Sequence, residues 1–422
     1  MKKERRPRIE IMAVGTELLS PYFQDTNSLY LSQRLNDLGM EVTFKTIVGD
    51  DWKNLLLCIK QALSRADIIF AIGGLGPTED DKTREAFADA LGRKLVYREE
   101  LFQKIKERFE RRGLSMPSTN LKQSYLIEGA DALQNNNGTA PGIWLDSGPQ
   151  KIVLLPGPPH ELKPIFEESV WPKLQDLRRG YRARKVLKIT GITESQMEAL
   201  ISDLYPQEPR LQVTTLAYPG QLEIHLASYS KRGPHQAEKE VEALKDKIRQ
   251  RLKENVFSES GEELEEVVGN LLRQRKKTLA VAESCSGGFL SHRLTNVPGS
   301  SDCFLECAVT YSNKAKSDLL GVPMSLIQKS GAVSAPVAEA MAKGIQQRAQ
   351  ASYGLAITGI AGPAGGTPEK PVGLVYTALA FGKRTKVGKS LFLGKREQIK
   401  FQSTQKALDM LRRHLLRTKR KK

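Results

Sequence analysis

Residues 279–288 read LAVAESCSGG: an apolar run, then Glu283-Ser284-Cys285-Ser286, then the glycine pair Gly287-Gly288. The pattern predicts a buried strand that stops at a tight turn, with a helix beginning at Gly288-Phe289-Leu290-Ser291. Such a turn lifts a hydroxyl to the carboxyl end of the strand and leaves backbone N–H groups around it, near Gly287 and Gly288, where developing negative charge can be held. Ser284 is therefore the candidate nucleophile. Cys285 is one position along the turn, where its side chain should point elsewhere.

A serine needs a base to take its proton. The histidines in this half of the chain, His292 and His414, sit in no motif. Residues 309–322, VTYSNKAKSDLLGV, are the better source: an apolar strand ends at Tyr311 and is followed by Lys314 and Lys316. A lysine amine acts as a general base only when burial or a nearby cation lowers its pKa, and a tyrosine hydroxyl could bridge it to the serine. In the competing reading Ser284 caps a helix and both lysines are solvated.

Outward from this stretch the chain alternates strands and helices, an α/β pattern. Residues 9–14 predict a strand before Gly15, 27–38 a helix, 40–48 a strand, 52–64 a helix and 67–72 a strand running into Gly73-Gly74-Leu75-Gly76-Pro77-Thr78. Ligands of parallel sheets sit beyond the carboxyl ends of the strands, where these glycine turns fall. Gly73, Gly74, Gly76 and Thr78 offer close backbone approach to phosphate, and Asp80 and Asp81 offer two adjacent carboxylates for a divalent cation. Alternatively, Thr78 and Asp81 make a cap-like helix start. Gly138 and Thr139, in the turn 137–142, and the turn 155–159 also suit a nucleotide-sized pocket. Residues 181–257 change character to a small α+β module, 261–277 lead onward, and a second α/β domain follows.

The 422 residues suffice for two or three domains with sizeable cores. The net charge of +17 suits anionic partners, but much of it lies in 2–8, 178–188, 273–277 and 412–422, runs typical of solvated tails and joints, so nucleic-acid binding is not expected. Four scattered cysteines form neither a disulfide framework nor a zinc site. Glu10 interrupts the first apolar run, which argues against a signal peptide, and no stretch is long enough to span a bilayer. A cytoplasmic protein without membrane partners is expected.

Taken together, the motifs resemble the CinA family, the competence and damage-inducible proteins, over essentially the whole chain. Residues 15–19, 25–27, 73–81, 138–142 and 155–159 carry the resemblance in a first domain, 1–175, that looks like the three-layer, parallel-sheet MoaB/MogA fold. Residues 181–257 are similar to the family's KH-type insert. Residues 261–417 look like PncC, the nicotinamide mononucleotide deamidase, through 282–288, 311–322, 330–334, 358–366 and 370–373. The resemblance implies a catalytic set of Ser284, Tyr311 and Lys316, choosing Lys316 over Lys314. It also implies substrate contacts from Gly287, Gly288, Thr358, Gly359, Gly365, Gly366 and Arg396. It implies hydrolysis of nicotinamide mononucleotide to nicotinate mononucleotide and ammonia in pyridine nucleotide salvage, with no cofactor in the last domain. For the first domain it implies a metal-dependent ADP-ribose pyrophosphatase, and for the whole a homodimer. Pro21, Ser286 and Lys400 depart from the family's usual glycine, threonine and arginine.

Overall fold

The strand Ile9–Val14 is buried along its whole length, and so is Ile68–Ile72 beside it. Strands apolar on both faces belong at the centre of a sheet covered on both sides. The computed structural model describes residues 7–177, 180–208 and 210–418. Parts of the charge runs at 2–8, 178–188 and 412–422 therefore lie outside the described residues. The chain forms two compact units, one made of residues 1–183 and 229–237 and the other of 184–228 and 238–422.

In the first unit the strand order is Val42–Val48, Ile9–Val14, Ile68–Ile72, Gln150–Leu155, Gly142–Ser147, Ala130–Leu133. The first four run parallel, and the last two turn the edge antiparallel. One face packs Leu55, Ile59 and Phe87 against Met12 and Ile69; the other packs Leu31, Leu35 and Phe166 against Ile11 and Phe70. Glu10 is wholly buried yet paired with Arg65 at 2.6 Å, so a charge within the apolar run carries its own counter-ion.

The small module has four strands in the order Leu211–Tyr218, Gln221–Ser230, Tyr181–Ile189, Val256–Ser258, with the helices Glu194–Ile201 and Pro234–Leu252. The last domain follows with a five-stranded sheet ordered Phe304–Val309, Leu279–Glu283, Tyr353–Gly359, Leu374–Phe381, Arg384–Leu391. Its first three strands are parallel and the other two antiparallel.

Alternation along Leu279–Glu283 sorts its two faces by size. Leu279 and Val281 join the larger residues Leu264, Val268, Leu272, Leu408 and Leu411 on one side. Ala280 and Ala282 join Ala356 and Ala378 on the other, where the helix Ala335–Arg348 lies. A face of alanines lets that helix approach closely: a side-chain carbon built on Gly354 would stand 2.1 Å from the Ala342 carbonyl oxygen.

The region 261–277, a lead-in by its sequence, contains the helix Leu264–Gln274, whose Leu264, Val268 and Leu272 are buried in the core. The closing helix Arg396–Arg417 packs against it. Near its end Arg412, 2% exposed, binds Asp409 at 2.7 Å and donates to the carbonyls of Glu254 at 2.5 Å and Val256 at 3.3 Å.

Candidate active site

The turn 284–288 follows the strand Leu279–Glu283, second in the order of the last domain's sheet, and the helix Phe289–Thr295 begins after it. Ser284 is held by its N–H donating to the Ile357 carbonyl at 3.0 Å. The neighbouring strand Phe304–Val309 ends level with it, and Ser312 caps the helix Asn313–Leu320 through the Ala315 N–H. That helix carries Lys316 inward, where it is 1% exposed, while Lys314 points out and pairs with Asp318.

The Lys316 amine lies 3.0 Å from Ser284 Oγ, 2.7 Å from the Thr310 carbonyl oxygen and 3.3 Å from that of Tyr311. Burial pushes the Lys316 pKa below the ordinary lysine value. A neutral amine has two N–H donors and one lone pair. Two carbonyls occupy the donors, which leaves the lone pair for the Ser284 hydroxyl proton.

Tyr311 does not bridge this contact. Its phenol is exposed and accepts from Arg396 Nη2 at 3.1 Å, and only its main-chain carbonyl reaches the lysine. The reason is that the amine reaches Ser284 directly, while Arg396 holds the phenol at the surface. We expect Tyr311→Phe to retain kcat within about tenfold, since it removes one exposed hydrogen bond, whereas a proton bridge would cost roughly 10²-fold or more; steady-state kinetics of the two chains would separate the cases.

The glycines also differ from expectation. The Gly287 N–H donates to the Ser284 carbonyl at 3.1 Å and the Gly288 N–H to Glu283 Oε2 at 3.1 Å, so neither is open to an oxyanion. The N–H groups of Cys285 and Ser286 find no backbone acceptor among the described residues, and the buried Ser286 hydroxyl has no partner. Cys285 is buried and its thiol is pushed up to about 12, which keeps it protonated and unreactive at neutral pH.

Arg396 opens the closing helix and donates to the Gly362 carbonyl at 2.7 Å, so it ties the 361–366 loop, with Gly365 and Gly366, to Tyr311. Lys400, one turn on, comes within 3.8 Å of a side-chain carbon built on Gly287. Two cations thus stand beside the serine turn. Thr358 is buried and donates to the Ala332 carbonyl, and Gly359 pairs with Val375, which makes both part of the frame.

In the first domain Gly73 and Gly74 lie at the carboxyl end of Ile68–Ile72, and Gly157 approaches Gly73 closely. Asn27 donates to the Gly157 carbonyl at 2.6 Å. At this rim Asn27 Oδ1 and Thr83 Oγ1 are buried without a hydrogen-bond partner. The Gly138 N–H is bound by Asn135, and Gly138 and Thr139 line a cavity of about 410 Å³ that also includes Lys104 and Arg108.

Asp80 and Asp81 do not begin a helix. Thr78 donates its hydroxyl to both and its N–H to Asp81 at 2.9 Å, closing an exposed turn before the helix Thr83–Ala90. That hydroxyl holds the Asp80 carboxyl below its ordinary range. Among the described residues no group of three or more His, Cys, Asp or Glu could hold a metal.

Glu283, by sequence only the end of an apolar run, is fully buried and accepts from three backbone N–H groups. Its signal in the sequence is a lone carboxylate at a strand end, before a helix whose first N–H groups need acceptors.

Fold and site together define a multidomain α/β protein with enzyme-like domains, the last holding a buried serine–lysine pair. Family models match along the chain: the probable molybdopterin binding domain at 10–176, the damage-inducible protein CinA KH domain at 184–258 and the CinA C-terminal domain at 261–415. A CinA-like protein of Koribacter versatilis is 46% identical, covering 96% of this chain and 99% of the relative, and one of Acidobacterium capsulatum is 47% identical over the same shares. The chain belongs to the CinA-like protein family. Among solved structures, the competence/damage inducible protein CihA of Agrobacterium tumefaciens is 34% identical, covering 37% of this chain and 98% of that one, with a TM-score of 0.35. Among the described residues no helix is long and apolar enough to cross a membrane.

Proposed function

We propose that the last domain is a serine-dependent amidohydrolase that converts nicotinamide mononucleotide to nicotinate mononucleotide and ammonia. The observation that carries this reading is the buried Lys316 amine, 3.0 Å from Ser284 Oγ with its donors engaged by main-chain carbonyls. Lys316 takes the Ser284 proton as Oγ attacks the carboxamide carbon. The tetrahedral oxyanion is met by the N–H groups of the turn, worth on the order of 3 kcal/mol per donor. The C–N bond then breaks, Lys316 returns its proton to the leaving nitrogen, and ammonia departs. Water, deprotonated by the same amine, releases the acyl group from Ser284. Arg396 and Lys400 supply cations for the substrate's phosphate monoester. The test is ammonia release from nicotinamide mononucleotide by the full chain; no release at any pH between about 6 and 10 sinks the reading.

For the first domain the unpartnered Asn27 Oδ1 and Thr83 Oγ1 beside the glycine turns favour a polar ligand at the strand ends. We infer ADP-ribose hydrolysis to AMP and ribose 5-phosphate there. With only Asp80 and Asp81 at hand, a divalent ion would be held jointly with the ligand's phosphate oxygens. AMP is expected from ADP-ribose with added Mg²⁺ or Mn²⁺, falling to background with a chelator; no AMP under either condition overturns this assignment.

A further inference from the structure

The residue just before the nucleophile has no role in the chemistry above, and its environment is unusual. Glu283 is a carboxylate at zero exposure, and no lysine, arginine or histidine among the described residues forms an ion pair with it. Its oxygens instead accept from the N–H groups of Gly288 at 3.1 Å, Leu290 at 3.0 Å and Ser291 at 2.8 Å, and from the Cys307 thiol at 3.6 Å. Those N–H groups belong to the start of the helix Phe289–Thr295, where the main chain has no acceptors of its own and the helix dipole favours negative charge. The carboxylate therefore fastens the far end of the 284–288 turn back to the strand from which the turn left.

The turn needs such a fastening. Gly287 and Gly288 both adopt left-handed backbone angles, with φ of +62° and +91°, and glycine pairs have many alternatives to lose. The same residue also acts through its main chain. The Glu283 carbonyl accepts from the Thr310 N–H at 2.7 Å, and the Thr310 carbonyl accepts from Lys316 at 2.7 Å.

We propose that Glu283 is the positioning residue of the pair, its side chain fixing the turn that presents Ser284 and its main chain fixing the seat of Lys316; the proposal rests on the serine–lysine reading above.

The experiment labels the full chain with a fluorophosphonate reporter, in which Ser284 Oγ attacks phosphorus, Lys316 takes the hydroxyl proton and fluoride leaves. This readout needs no knowledge of the natural amide. Ser284→Ala should take no label. Glu283→Gln keeps the size but sets an amide N–H against a backbone N–H, and Glu283→Asp keeps the charge but falls short of the turn. Both should label at least about tenfold more slowly per titratable site, with the pH midpoint of labelling unmoved because the lysine's carbonyl seat persists. On nicotinamide mononucleotide the same variants should lose kcat with KM nearly unchanged. Counting rates per labelled site separates poor positioning from a partly unfolded preparation. Cys307→Ala, which touches the same carboxylate but not the turn, should label at the parent rate. Parent-like labelling by both Glu283 variants overturns the proposal, whereas absence of label on the parent overturns the nucleophile itself and this role with it.

Discussion

Ser284→Ala is expected to lower kcat for deamidation by roughly 10⁴-fold or more, the scale on which loss of a nucleophile acts in serine hydrolases. The change removes one oxygen from a residue 8% exposed, and the turn's main-chain bonds to Ile357 and Gly287 do not involve the hydroxyl. The fold should therefore be retained, which circular dichroism and the melting temperature would check. Neither Cys285 nor Tyr311 can stand in. The Cys285 thiol, pushed up to about 12, stays protonated, and the exposed Tyr311 phenol is turned to Arg396. Activity within about tenfold of the parent would move the chemistry away from this turn.

Lys316→Met should cost about 10²- to 10⁴-fold in kcat, the usual contribution of a positioned general base. It also tests the sign of the electrostatics. Burial disfavours the charged amine, so the Lys316 pKa lies below the ordinary lysine value, and the neutral, proton-accepting form is present at lower pH than for a solvated lysine. In the parent, kcat should rise with pH through that lowered pKa and then level. In the methionine variant the residual rate should lack this limb. Lys316→Arg, which stays charged, should be as inactive as Lys316→Met; a pH profile shared by parent and variants would assign the titration to another group.

Much of the last domain was legible because its signals are local. The run 279–282 and the glycine pair mark a strand, a turn and a helix start within one short stretch, which makes Ser284 a candidate, while the choice against a helix cap rests on the family resemblance. The path from Ser284 to Lys316 was less legible. Residue spacing places Tyr311 and Lys316 on one segment, but only the start of the helix at Asn313 decides that the amine turns inward and the phenol outward. By sequence the glycine N–H groups are open donors, yet the buried Glu283 carboxylate claims that of Gly288. Such a partner is visible only once the strand and helix are packed.

The antiparallel edges were hidden for another reason. Arg384–Leu391 alternates half-buried and exposed positions and carries the cations Arg384, Lys386 and Lys389, so it lacks the apolar run that marks a central strand. The helix Leu264–Gln274 did carry a readable signal, apolar residues at four-residue spacing behind the Glu263–Glu266 capping box, although the surrounding charge gives it the look of a joint.

Arg412 bears on how such a chain can be cut and recombined. Two of its acceptors, the Glu254 and Val256 carbonyls, precede the start of the last domain's own sequence. A gene fragment beginning after residue 260 would encode a guanidinium that keeps Asp409 but gives up both carbonyls, its freed donors turning to water. The small module and the last domain are thus joined by more than a peptide bond.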